Sequence, residues 1–183
     1  MKTTPETIRS MLSAGRHRLS LARAAEVLAC VQANPRRIGQ LIECLWDEDA
    51  GVANRASVVL EKFTRERPGV LVRWKPQLLG LLAEATENVL RWNLAVIVPR
   101  LPLTASECRS VRKILESWLD DASSIVKTQA LQGLADLTTQ APFLLQNVTD
   151  LVRIHGRSGT PAMHARSRHL LKRLTRAAEA RLR

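Results

Sequence analysis

The stretch Trp118–Thr139, WLDDASSIVKTQALQGLADLTT, decides the fold, because the middle of the chain can be laid out as copies of it 37 residues apart. With Val126 as the reference, the same slot holds Val52, Val89, Val126 and Met163. Four residues on stand Ala56, Asn93, Ala130 and Ser167, and eight on stand Leu60, Ile97, Leu134 and Leu171. Steps of four and eight fall on one side of a helix with 3.6 residues per turn, so each copy carries a stripe that alternates small and large. Three residues before the reference come Asp49, Thr86, Ser123 and Thr160. Each is a side chain that accepts hydrogen bonds from the free N–H groups opening a helix. A helix pair repeated at this period cannot bury its apolar face alone, so neighbouring pairs must stack into one continuous core. The expected fold is all-α, a right-handed α-solenoid of about five helix pairs.

Working outward, Thr4-Pro5-Glu6-Thr7 reads as a cap with proline at the first helical position, opening a helix that stops near Ala14-Gly15. A helix over 17–33 follows, and Asn34-Pro35 starts another that runs to Trp46. Asp49 opens a helix to about Arg65, and Pro68 breaks it. Further helices are predicted over 69–83, 86–98, 105–120, 123–140, 142–155 and 161–181, with Thr104 and Glu107 as a capping box. Leu41, Leu78, Leu115 and Val152 form a buried column in the first helices of the pairs, with Leu45, Leu82 and Leu119 one turn later. Pro99 and Pro102 are the main irregularity. The whole chain, 1–183, reads as one domain: capping helices over 1–33, repeats over 34–158 and a basic terminal helix over 159–183.

The composition, 45% hydrophobic and 25% charged, is that of a folded globular protein. No apolar run approaches the roughly 20 residues that span a bilayer, and the start lacks an apolar signal segment, so a cytoplasmic protein with no membrane partner is expected. Cys30, Cys44 and Cys108 show no CxxC spacing and each lies on a helical stripe, which fits buried, reduced thiols. The net charge of +11 is uneven: residues 1–37 carry +5, residues 38–152 carry −2 and residues 153–183 carry +8. Basic ends on a neutral body point to acidic partners and say nothing about fold.

The second helices of the pairs resemble those of HEAT repeats, in which an Asp precedes the helix and a Val-Lys or Val-Arg pair and an Ala follow. Here the phrase is Asp121, Val126-Lys127 and Ala130, and Asp47, Val52 and Ala56 keep part of it. Glu84-Val89-Leu90-Asn93 and Ser158-Met163-His164-Ser167 depart from it. The resemblance covers about residues 36–175 and implies a scaffold or binding surface, with an Asp–Lys ladder confined to one repeat. One branch of that family consists of alkylpurine DNA glycosylases, which hold DNA in the concave face.

Catalytic constellations are scarce. There is no GxSxG, glycine-rich phosphate loop, HExxH or Tyr. His155, His164 and His169 are spaced nine and five apart, which places no pair on one helical face, so exposed histidines and no metal are expected. Trp46, Trp74 and Trp118 suit packing between layers, whereas Trp92, with Arg91 beside it, flanks its stripe and suits either packing or stacking on a ligand or base. Positions two, six and nine after the reference point away from the core on a helical wheel: Asn54, Val58, Glu61; Arg91, Ala95, Val98; Thr128, Gln132, Ala135; Ala165, His169, Lys172. Before the last repeat the concave face so read is small and nearly neutral, with no carboxylate beside Trp92, which counts against a duplex-binding glycosylase. Basic residues gather on the last helix, at Arg166, Arg168, Lys172, Arg173, Arg176 and Arg181. They read either as a solubilising cap or as a surface for an acidic partner.

The sequence therefore predicts a non-enzymatic scaffold or binding module without a cofactor, most simply one that meets an acidic protein partner. The candidate binding residues are Arg91, Trp92, Arg166, Arg168, Lys172, Arg173 and Arg176. Nucleic-acid binding through the basic terminal helices is the alternative, and base excision a more distant one. Oligomeric state is left open.

Overall fold

A computed structural model describes residues 6–15 and 21–181. The described residues form ten α-helices and six 3-10 segments, with no strand. The helices are α1 (Ile8–Ser13), α2 (Ala24–Ala33), α3 (Ile38–Glu43), α4 (Ala50–Thr64), α5 (Lys75–Glu84), α6 (Asn88–Ile97), α7 (Ala105–Ser117), α8 (Ser124–Leu137), α9 (Leu145–Ser158) and α10 (Pro161–Glu179). Among them no helix is long and apolar enough to cross a membrane.

Local chemistry sets most of the helix starts. Asp49 accepts from the Gly51 N–H, Ser123 from Val126 and Thr160 from Met163. Thr104 and Glu107 form the full capping box. Thr86 is the exception: α6 begins after Glu87, whose side chain makes no cap bond, so its first turn is one residue shorter than in the other copies. Proline divides several of the long helices expected. Pro76 lies in the first turn of α5, where its ring and missing N–H cut the helix off from the preceding 3-10 segment, Pro68–Trp74. Pro68 and Pro142, two periods apart, each open a 3-10 segment, as does Pro35. The helix predicted over 17–33 begins only at Ala24, because Ala22 takes a positive φ of 43° that no helix contains; residues 16–20 lie outside the described set. The cap at Thr4-Pro5 also falls outside it, and the observed cap of α1 is Thr7, bonded to the Ser10 N–H. At the irregular Pro99–Pro102 turn, Gln140 donates to the Pro99 and Leu101 carbonyls and accepts from the Leu103 N–H, which satisfies backbone groups the prolines leave outside a helix.

Packing follows the 37-residue register. α4 packs on α6, α6 on α8 and α8 on α10, and each also packs on the helix that precedes it. Val52, Ala56, Leu60, Ile97, Val126, Ala130 and Leu134 are fully or almost fully buried, and so are Val89, Asn93, Met163 and Ser167. The columns Leu41, Leu78, Leu115, Val152 and Leu45, Leu82, Leu119 face the same core. The closest approach uses glycine: a Cβ on Gly133 of α8 would stand 2.0 Å from the Ala95 carbonyl oxygen of α6. α6 and α8 accordingly make the most extensive helix–helix contact in the molecule.

Two packing expectations are corrected. Trp118 is buried, but Trp46 is 47% exposed. It ends the 3-10 segment Cys44–Trp46, after which the chain leaves in an extended conformation and turns the indole outward while Leu45 stays inside. Cys44 and Cys108 are buried thiols, whereas Cys30 is half-buried and accepts from Arg37 Nη1 at 2.6 Å.

Candidate functional site

The layer α4–α6–α8–α10 rotates the surface away from the one read on the helical wheel. In its inner helices most residues at positions two, six and nine after the reference are buried, whereas Val58, Arg91 and Gln132 are half-buried. Ala95 and Val98 are fully buried, Ala135 is 1% exposed, and Asn54, Glu61 and Thr128 are also buried. The wheel assumed one packed side. An inner helix has a partner and a neighbour on each side, so the buried arc extends past the point opposite the reference residue. The open side falls near positions three, seven and ten, which are Trp92 and Val96 on α6, Gln129 and Asp136 on α8, and Arg166 on α10. With Glu61, Arg65, Asn93, Arg100 and Gln132 they line a groove of about 400 Å³.

This groove is polar and holds two carboxylates and three arginines, whereas the sequence reading placed no carboxylate beside Trp92. Glu61 accepts from Arg65 Nη2 at 2.8 Å and from Arg100 Nη2 at 2.6 Å. Arg100 Nη1 also donates to the Glu61 carbonyl at 2.9 Å and to Thr64 Oγ1 at 3.0 Å. Burial pushes the Glu61 carboxyl upward, but the bonds and charges of Arg65 and Arg100 outweigh burial and hold it below its ordinary value. At the other end, the Gln132 amide donates to Asp136 Oδ1 at 2.8 Å and accepts from Arg166 Nη1 at 2.9 Å. Asp136 Oδ1 accepts a further bond from Arg173 Nη1 at 2.7 Å. Both acids are thus consumed by arginines. What stays open is the half-buried Trp92 indole, the Gln129 amide and the remaining guanidinium N–H groups of Arg65 and Arg166, a surface richer in donors than in acceptors.

The predicted site residues do not assemble in one place. Trp92 and Arg166 line the groove, and Arg173 closes its α10 side through Asp136. Arg91 does not face the groove. Its Nη2 bonds the Asp121 carboxylate and Asn88 Oδ1, and its guanidinium lies 5.5 Å from the Trp118 ring centroid, which ties α6 to the entry of α8. The same arrangement recurs two periods earlier, where Asp47 pairs with Arg9 of α1 at 2.6 Å. Each Asp also turns an oxygen to the backbone N–H two residues on, Asp47 to Asp49 at 3.0 Å and Asp121 to Ser123 at 2.7 Å. In place of an Asp121–Lys127 contact, Asp121 is therefore held by an arginine from α6, the previous helix of the layer.

Arg168, Lys172 and Arg176 lie on a different side of α10, exposed and with no ion-pair partner among the described residues. Arg181 reaches back to the Pro142 and Thr138 carbonyls at 3.4 and 3.5 Å, bonding backbone oxygens at the end of α8. His164 and His169 are exposed and His155 is half-buried. No cluster of His, Cys, Asp and Glu suited to a metal occurs among the described residues. Burial raises the Cys44 thiol to about 11, which leaves it protonated and unreactive.

Glu61 and Gln132 stood among the residues read on the concave face, whereas Arg65, Arg100, Gln129 and Asp136 were missed as lining residues. Their signal was present: at four-residue spacing, Glu61 with Arg65 and Gln132 with Asp136 form hydrogen-bonded pairs on one helix side. No family model, curated protein or solved structure matches this chain.

Proposed function

We propose that the chain is a HEAT-like α-solenoid serving as a non-enzymatic binding module, with an acidic protein as its partner and the groove across α4, α6, α8 and α10 as its principal contact surface. The observation that carries the reading is the register. Residues 37 apart take equivalent buried places from Val52 to Met163, and residues 74 apart, Asp47 and Asp121, each pair with an arginine of another helix. Repeated units that share one continuous core present a long side surface, which suits an extended partner. The groove supports binding over chemistry, since Glu61 and Asp136 are already engaged by arginines while indole, amide and guanidinium donors remain open. A cytoplasmic location fits the three free thiols.

Affinity capture from the native host tests this with three proteins: wild type, a Trp92→Ala/Arg166→Ala groove variant, and a variant with Arg168, Lys172 and Arg176 changed to Ala. A protein retained by wild type after nuclease treatment and lost with the groove variant is the expected result. If nuclease removes everything captured, the reading fails in favour of nucleic-acid binding. That second reading is favoured by one observation, the unpaired row Arg168, Lys172 and Arg176. Duplex DNA carrying alkylated purines should release no free base, and release abolished by Asp136→Asn or Trp92→Ala would make the protein a base-excision enzyme.

A further inference from the structure

The outer face of α10 differs from its counterparts in one respect. At positions two, six and nine the inner helices are mostly buried, at Asn54, Glu61, Ala95, Val98, Thr128 and Ala135, with Val58, Arg91 and Gln132 half-buried, and Ala95 lies on the Gly133 backbone. In α10 the same three places are Ala165, His169 and Lys172, and all are exposed. Arg168 and Arg176 flank them, also exposed and unpaired among the described residues, with Glu179 as the one acid on that face. Arg168, Lys172 and Arg176 are four residues apart, so their charges form a row with steps of about 6 Å along the helix axis.

We propose that this face receives an acidic α-helix of a partner protein, laid against α10 in the place of a further helix of the layer. The inference rests on the binding-module reading and adds a second surface to it. Three arguments support a helix. α4, α6 and α8 each pack against the next helix of the layer, so a helix laid on α10 would continue an arrangement the layer already repeats. Ala165 is small, as are Ala95 and Gly133 where two helices approach most closely. A partner helix with carboxylates four residues apart repeats at the same 6 Å step and meets each cation in turn. A second copy of this chain is a poor occupant, because residues 1–37 carry +5 and residues 153–183 carry +8, so either end of another copy would bring like charge. Nucleic acid is disfavoured by number: three cations in a single row neutralise about three phosphates, and affinity for a duplex rises with the number neutralised.

The probe is a synthetic helical peptide of about 20 residues with Glu at every fourth position on one face, compared with a scrambled peptide of the same composition. Single-stranded and duplex oligonucleotides are titrated in parallel, by fluorescence anisotropy at low salt. The patterned peptide should bind about tenfold tighter than the scrambled one, since three exposed ion pairs each contribute modestly. The variant R168A/K172A/R176A should lose that preference, whereas Trp92→Ala should keep it. Changing the three residues to Glu should transfer the preference to a peptide with Lys in the patterned positions. Equal binding of patterned and scrambled peptides, lost in the triple variant, overturns helix docking while leaving the acidic-partner reading in place. Tighter binding of either oligonucleotide than of the patterned peptide overturns both. Loss of peptide binding in a Trp92→Ala/Arg166→Ala variant, but not in the triple variant, moves the acidic partner into the groove. Negligible binding of every probe also overturns the proposal.

Discussion

α8 and α10 hold the same places in the 37-residue register, but α8 lies between α6 and α10 whereas α10 has α8 on one side only. The residues follow that difference. Leu134 is fully buried and Leu171, its counterpart, only half-buried. Ala135 is buried where Lys172 is exposed, and Thr128 is buried where Ala165 is exposed. Gly133 lets α8 close onto α6, while α10 carries the bulky Leu170 in the equivalent place. A helix with two neighbours buries most of its circumference, and a charge held there needs a partner, as Glu61 has in Arg65 and Arg100. A helix with one is free to carry charge on the far side, and α10 carries it with one sign.

The largest expected effect tests the stripe itself. Leu134→Ala should cost about 2–5 kcal/mol in urea denaturation, because it removes a fully buried side chain from between packed helices. Leu171→Ala, which starts half-exposed, should cost about 1 kcal/mol or less. Equal losses at the two sites would mean that the second neighbour contributes nothing, and the comparison would fail.

Position nine supplies the next contrast. In α4 it is Glu61, 8% exposed and held by Arg65 and Arg100; in α10 it is Lys172, exposed. Glu61→Gln should cost about 1.5–3 kcal/mol at pH 7, the range for hydrogen bonds to a charged group, whereas Lys172→Ala should stay within about 0.5 kcal/mol. The pH dependence follows from the direction of the shift. The carboxyl titrates below its ordinary value of 4.5 in the folded protein, so its contribution is complete above that value and is lost as pH falls through the lower folded one. Wild type should therefore lose stability more steeply below about pH 4.5 than Glu61→Gln does. Parallel acid transitions for the two proteins would show that the Arg65–Glu61–Arg100 cluster is not a stabilising feature.

Glycine separates close packing from open helix surface. Alanine normally favours a helix over glycine by about 1 kcal/mol, and Gly80→Ala in α5, with nothing within 4 Å of the added Cβ, should gain about that much. Gly133→Ala should have the opposite sign and cost about 1–3 kcal/mol, because its Cβ meets the Ala95 carbonyl oxygen and the α6–α8 contact has to open. Thermal melts of the two variants against wild type read the signs directly, and a stabilised Gly133→Ala would show that α6 and α8 are not closely apposed there.

What was legible in the sequence is what repeats. Val52, Val89, Val126 and Met163 announced four buried stripes because the 37-residue period and the helical period agree at each of them, and Asp49, Ser123 and Thr160 announced their caps by short-range chemistry. The groove was legible only in part, at Glu61, Trp92, Gln132 and Arg166, because its direction depends on how neighbouring helices are rotated about one another, and a helical wheel for one helix carries no such information. Arg91 shows the consequence: two residues after its reference, it was placed toward a ligand, but the carboxylate of Asp121 and the face of Trp118 lie on that side. The basic row of α10 was legible because no helix of the described residues covers its far side, so there the single-helix reading holds.

The smallest stability effect belongs to that row, and it is the most informative about function. Arg168, Lys172 and Arg176 touch no ion-pair partner among the described residues, so their joint replacement by Ala should leave stability within about 0.5 kcal/mol per site and change only what the surface attracts. Duplex DNA titrated across salt gives the number of cations at work, since the log–log slope is about −0.9 per phosphate neutralised. Three free cations allow a slope no steeper than about −2.7, and the triple variant should flatten it to near zero. A wild-type slope well beyond that value would bring in basic residues from elsewhere, the arginines of residues 1–37 first, and would make nucleic acid the better occupant of both ends. A shallow slope, abolished in the triple variant while the unfolding midpoint stays fixed, would mean that α10 offers only a narrow, one-signed strip, wide enough for one acidic helix and too sparse for a phosphate backbone.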